Sequence, residues 1–141
     1  MVQQPLQTGG VVELRIPNKA EWVAVARLAV AAVANRLPFS MEEIEDMKLA
    51  IAEACTNAIQ HAVGASSIEI VCEAFPDELR LTVRDHGNMS ASELLPQSQV
   101  DFPESRAGLG VFLIRSLMDE VKYTLDPNHG TNLVMVKKVT R

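Results

Sequence analysis

Four short groups of residues have the types and spacing to do chemistry. Glu53, Asn57 and His61 recur at i, i+4 and i+8, which stacks a carboxylate, an amide and an imidazole along one line of a helix. Asp85-His86-Gly87 ends an apolar, alternating run, so a carboxylate that can accept from an amino group stands beside a glycine that lets backbone approach a ligand. Arg106-Ala107-Gly108-Leu109-Gly110 precedes an apolar helical stretch, where free N–H groups and the helix dipole favour phosphate. Gly130-Thr131 adds a hydroxyl just before the last strand. Each group alone has an ordinary structural reading: a solvated helix face, a turn, a flexible joint. The Gly-x-Gly is no Walker A motif, since no G-K-[ST] follows, and no strand leads into it as in a Rossmann unit.

The elements that must position these residues can be read from the hydrophobic pattern. Ser40 to Ala62 reads as one amphipathic helix, opened by an S-x-x-E capping box (Ser40, Glu43) and carrying a buried stripe of Ile44, Met47, Ile51, Cys55, Ala58 and Ala62. Before it, residues 1–10 read as a loose tail and Val11–Ile16 as an edge strand. Asn18 is expected to cap a helix to about Arg36, with Trp22, Val25, Leu28, Ala29, Ala32 and Val33 as its packed face. Leu37-Pro38-Phe39 stops that helix.

Gly64 ends the long helix, and Ile68–Ala74 and Leu79–Asp85 alternate as two strands around a Phe75-Pro76-Asp77-Glu78 turn. Asn88 to Ala107 is polar and without firm periodicity, the pattern of a lid or binding loop, with room for a short helix near Ser90–Leu95. A helix from Gly108 to Met118 follows, then strands Val121–Leu125 and Leu133–Val139 joined by Asp126-Pro127-Asn128-His129-Gly130. This order implies an α/β (α+β) two-layer sandwich, a mainly antiparallel mixed sheet covered on one face by helices, with residues 11–141 forming one domain.

Composition excludes several classes. The 141 residues are 48% hydrophobic and 22% charged, which is ordinary globular composition. Aromatics are 4% and the formal charge is 13 − 18 = −5, so neither a base-stacking platform nor a phosphate-backbone footprint for nucleic acid is present. The N-terminus lacks the basic and apolar regions of a signal peptide, and the longest apolar tract, Trp22–Ala34, is interrupted by Arg27 and too short to span a bilayer. Cys55 and Cys72 sit in no C-x-x-C setting and read as small buried thiols in a reducing compartment, so a cytoplasmic location is expected. His61, His86 and His129 lack the spacing of a zinc site.

The order Glu-x-x-x-Asn, Asp-x-Gly, Gly-x-Gly, Gly-Thr is far more specific than its parts. It resembles the nucleotide-binding domain shared by gyrase-type ATPases, histidine kinases and bacterial anti-sigma-factor serine kinases (the GHKL superfamily, with its Bergerat-type ATP-binding fold), over about residues 11–139. The anti-sigma-factor kinases are the most similar branch, through EACTNAIQHA, VRDHG, RAGLGVFLIRSLMDEV and HGTNLVMVKK.

The resemblance implies ATP and Mg²⁺ as cofactors, with Asn57 as the metal ligand and Glu53 as the general base for a serine hydroxyl. It implies that Asp85 binds the adenine amino group, with Thr131 behind it and Gly87 giving room. Gly108, Leu109 and Gly110 would offer N–H groups to phosphate, Arg106 a cation to the γ-phosphate, and Arg27 a contact to protein partners. A homodimer, a sigma-factor or other client, and a STAS-domain anti-anti-sigma substrate are implied in the same way, with no part for nucleic acid or membrane. Where many members carry D-x-G-x-G, this chain has Asp85-His86-Gly87-Asn88-Met89, which bears on lid geometry. Two alternatives share the fold: a nucleotide-dependent protein-binding switch without phosphotransfer, and a switch kinase that regulates a phosphatase.

Overall fold

The computed structural model describes residues 10–61, 67–85, 108–126 and 130–140. Its elements run β1 (Gly10–Pro17), a 3₁₀ turn (Ala20–Trp22), α1 (Val23–Ala34), α2 (Met41–His61), β2 (Ser67–Phe75), β3 (Glu78–Asp85), α3 (Gly108–Leu117), β4 (Glu120–Asp126) and β5 (Gly130–Lys138). The side chain of His61, the end of the long helix at Gly64, His86, Gly87, Arg106, the stretch 88–107 with its short helix at 90–95, and His129 lie outside the described residues. Gly10, grouped with the tail by sequence, begins β1.

The five strands form one sheet in the order β1-β2-β3-β5-β4. The fold class expected from sequence holds, and every pairing among the described strands is antiparallel, leaving no parallel component. Strict alternation explains why one face is dry. Ile68, Ile70, Cys72 and Ala74 on β2, Leu79, Leu81 and Val83 on β3, and Leu133 and Met135 on β5 are all buried in one cluster. The opposite face carries a polar ladder, in which Glu69 meets Arg15 at 3.7 Å and Arg84 at 3.3 Å, and Arg84 Nε donates to Asn132 Oδ1 at 3.1 Å.

The three helices cover the dry face, with α2 packed against both α1 and α3. Of its expected stripe, Ile44, Met47, Ile51, Cys55 and Ala58 are buried, joined by Ala50 and Ala54, while Ala62 lies outside the described residues. The capping box is also formed. The Glu43 N–H donates to Ser40 Oγ at 3.0 Å, and the Ser40 N–H donates to Glu43 Oε1 at 2.8 Å.

Helix α1 departs from expectation twice. The chain enters through the 3₁₀ turn, whose cap position is Lys19 with no side-chain cap, so Asn18 does not open an α-helix and α1 ends at Ala34. Its packed face is Ala26, Val30 and Ala34, whereas Trp22, Val25 and Leu28 are 40%, 37% and 70% exposed. The helix is apolar on nearly every side, so periodicity leaves its rotation open. Packing chose the alanine-rich side, which lets α1 approach closely. No helix among the described residues is long and apolar enough to cross a membrane.

Both cysteines are free and buried. Burial pushes the Cys55 thiol up to about 12 and the Cys72 thiol up to about 11. A raised folded-state value means this contribution to stability is complete below the ordinary thiol value and is lost as pH rises through the folded one. Neither thiol is therefore expected to react with iodoacetamide in the native protein at pH 8, while both label in denaturant. Mass spectrometry of the labelled chain checks this.

Candidate nucleotide site

Asp85 is the last residue of β3 and Thr131 the second of β5, and the antiparallel register sets them directly opposite each other. Both are buried, and the Thr131 hydroxyl donates to Asp85 Oδ2. A carboxylate with so little water is costly unless its oxygens accept hydrogen bonds, and a hydroxyl donor supplies one. Tyr123 of β4 pairs with Leu133, which places its ring diagonal to Thr131 on the same face. Sequence reading missed Tyr123, because only the β4–β5 register shows where it falls.

The second group lies on the helices. Glu53 and Asn57 are half-buried along the edge of α2 that faces the start of α3. There Gly110 comes so near that a Cβ added to it would stand 3.1 Å from Glu53 Oε1 and 3.2 and 3.3 Å from Asn57 Oδ1 and Nδ2. A methyl group there would be tighter than ordinary packing, and the Glu53 and Asn57 side-chain ends would have to give by a few tenths of an ångström. Gly110 also lies in the first turn of α3, where N–H groups have no intrahelical acceptor and the dipole is positive.

Lys137 of β5 holds this crevice in register. Its Nζ donates to the Leu117 carbonyl at the end of α3 at 2.6 Å and lies 3.7 Å from Asp46 Oδ2 on α2. A cation at a helix C-terminus suits the dipole and an unpaired carbonyl together. Thr140, just beyond β5, donates to Glu43 Oε2 at 2.8 Å. The beginning of α2 and the end of α3 are thus tied to the far end of β5.

These ties fix where the two groups lie. From Asp46 to Asn57 the helix rises ~16 Å, and from Lys137 back to Thr131 the strand spans ~20 Å. Starting from a common tie, both lead to the same end of the domain, where Asp85 and Thr131 sit. The structure therefore brings Glu53, Asn57 and Gly110 into one crevice and Asp85 and Thr131 into a buried pair at that end. It sets Arg27 apart, exposed on α1 beside Trp22 and Leu28. Gly108 and Leu109 open α3 with Gly110.

A family model described as the histidine kinase-like ATPase domain matches residues 16–137, which include every one of these positions. The chain belongs to the histidine kinase-like ATPase family. Among its curated relatives are serine-protein kinases RsbW of Bacillus cereus (strain Q1) and of Bacillus anthracis (strain CDC 684 / NRRL 3495). Each is 40% identical over 141 residues, covering 92% of this chain and 86% of the relative. The serine-protein kinase RsbW of Bacillus thuringiensis subsp. konkukian (strain 97-27) is 39% identical over 139 residues with the same coverage. Membership of an ATPase family implies ATP use, and the chemistry of the two groups suits it: a buried carboxylate for an amino-bearing base, and a helix start whose N–H groups can donate to phosphates.

Gly110→Ala tests the crevice without touching a charged group. Alanine is a better helix former than glycine, so thermal stability is expected to hold or rise slightly. Nucleotide affinity, measured by titration calorimetry, is expected to fall at least tenfold.

Proposed function

We propose that this protein is an ATP-dependent serine-protein kinase acting as an anti-sigma factor in a partner-switching system. It would phosphorylate a serine of a STAS-domain anti-anti-sigma protein and bind a sigma factor as client, as a cytoplasmic homodimer. The observation that carries the kinase reading is the seating of Gly110 against Glu53 and Asn57 together. A module that only bound nucleotide would need the amide and the glycine but no carboxylate at that spot. The relatives named as serine-protein kinases support the same reading.

The roles follow from the donor types. Asp85, held by Thr131, accepts from the amino group of adenine. The N–H groups at Gly108, Leu109 and Gly110 face the phosphates. Among the described residues no three His, Cys, Asp or Glu side chains gather as a metal cage. A single amide oxygen at Asn57 fits magnesium, which takes few protein ligands and completes its shell from phosphate and water. When bound, the ion would neutralise phosphate charge.

Glu53, one helical turn before Asn57, accepts the proton of the substrate serine as its oxygen bonds to the γ-phosphorus. The bond from that phosphorus to the β-phosphate oxygen breaks, and ADP leaves. Holding the base and the metal ligand on one rigid helix serves a reaction that depends on positioning and charge more than on covalent chemistry. Gly87 and Arg106 complete the proposed set, as room beside adenine and as a γ-phosphate cation. Arg27, exposed on α1, is the proposed contact to protein partners.

The test is transfer of labelled γ-phosphate from ATP to candidate STAS proteins of the same organism. Label on one serine is expected, falling ~10²- to 10⁴-fold in Glu53→Gln with ATP binding kept. ATP binding without transfer to any candidate would favour the nucleotide-switched binder. Asn57→Ala is expected to abolish the magnesium-dependent part of ATP binding, and tight magnesium-dependent binding by that variant would refute the metal assignment.

A further inference from the structure

Three hydrogen bonds anchor the end of α3 to β5. The Asp119 N–H, just past the helix, donates to the Val136 carbonyl at 2.8 Å, and the Lys138 N–H donates to Asp119 Oδ2 at 2.6 Å. Lys137 Nζ donates to the Leu117 carbonyl at 2.6 Å, an acceptor that the last turn of a helix leaves without an intrahelical partner. The first two bonds hold the chain to the strand. The third does more, because Lys137 Nζ also lies 3.7 Å from Asp46 Oδ2 and so joins α3 to α2. The Lys137 side chain is 13% exposed, so this is no solvated surface pair.

The joint has a fixed relation to the crevice. Asp46 and Glu53 are about two helical turns apart on α2, and Gly110 and Leu117 are equally far apart on α3. Two turns return a helix to nearly the same face, so the helices meet at two points along one edge. Lys137 bridges them at one point, and Gly110 stands against Glu53 and Asn57 at the other. A single contact lets a helix swing about it, whereas two fix both its slide and its turn. The Asp85–Thr131 pair is held separately, by the pairing of β3 with β5 and by its own hydrogen bond.

We infer that Lys137 is a positioning residue, one that sets the first turn of α3 against Glu53 and so governs the phosphate end of a bound nucleotide while leaving the base end alone. This inference rests on the nucleotide reading given above. The Lys137 ammonium is engaged by Leu117 and Asp46, so it acts on the nucleotide through α3. Lys137→Met keeps most of the apolar stem and removes the donor. A carbonyl and a carboxylate then face each other across the joint, and their repulsion opens it.

The experiment compares ATP with AMP, which share a base and differ in phosphates, by titration calorimetry on the full chain with magnesium. Titrating ATP with and without AMP gives both affinities. Lys137→Met is expected to bind ATP about tenfold more weakly and AMP within about twofold of the wild type. Lys137→Arg, which restores a donor and a charge, is expected to recover most of the ATP affinity. Asp46→Asn, at the more exposed end of the joint, is expected to lower the preference for ATP by a smaller factor, and it carries the test if Lys137→Met does not fold. A residue that only stabilised the fold would weaken both nucleotides by one factor, or neither, and either result overturns the inference. The wild type separates the two levels: if it binds AMP as tightly as ATP, the phosphate assignment at α3 itself falls, and the inference with it. If the wild type prefers ATP and Lys137→Met keeps the same ratio, only the inference fails.

Discussion

The approach of α3 to α2 at Gly110 is the contact on which the candidate site depends. The missing methyl group eases it, because a Cβ there would stand 3.1 Å from a Glu53 oxygen, closer than ordinary contact. The approach requires something to hold two helices together at a point where one of them carries a carboxylate and an amide instead of apolar side chains. Lys137 does this from the opposite end, joining the Leu117 carbonyl and Asp46. An ion pair with a hydrogen-bonded lysine holds position more sharply than apolar contact, which tolerates sliding. The polar crevice is thus kept in shape by a polar tie about two helical turns away.

Strand β5 links that crevice to the buried Asp85–Thr131 pair. Near its start Thr131 orients Asp85, and near its end Lys137 and the adjoining Thr140 hold α2 and α3. Inward-facing positions of β5 thus alternate through Thr131, Leu133, Met135 and Lys137: a polar residue at each end and two core residues between. The apolar middle fixes the strand on the core, and the polar ends carry the site. The separation of the Asp85–Thr131 pair from the Lys137 tie is set by the rise of one strand.

Much of this was legible in the sequence because local rules and tertiary packing agree. The S-x-x-E signal at Ser40 and Glu43, the stripe of α2, and the alternation of β2 and β3 all appear as expected, as does the turn that pairs Phe75 with Glu78. The spacing of Glu53 and Asn57 placed both on one helix edge, and the Gly-x-Gly signal fell at a helix start. What was hidden depended on partners far away in sequence. The rotation of α1 could not be read, since Val25 and Leu28 are as apolar as Val30 and only packing on α2 and the sheet decides between them. Tyr123 and Lys137 gave no local sign, because their neighbours Thr131, Asp46 and Leu117 are defined by strand register and helix docking.

The strand order β1-β2-β3-β5-β4 carries a consequence for synthesis. Strand β5, which follows the other four strands in the chain, is not laid on the outside of the sheet but slots between β3 and β4. Until it arrives, Asp85 has no Thr131, the helices have no tie at Asp46 or Leu117, and β4 has no neighbour to pair with. Long-range pairing of this kind is slow and leaves strand edges open while it waits. A nascent sheet is therefore open at β3 and β4, and for that interval prone to sticking, until β5 closes it.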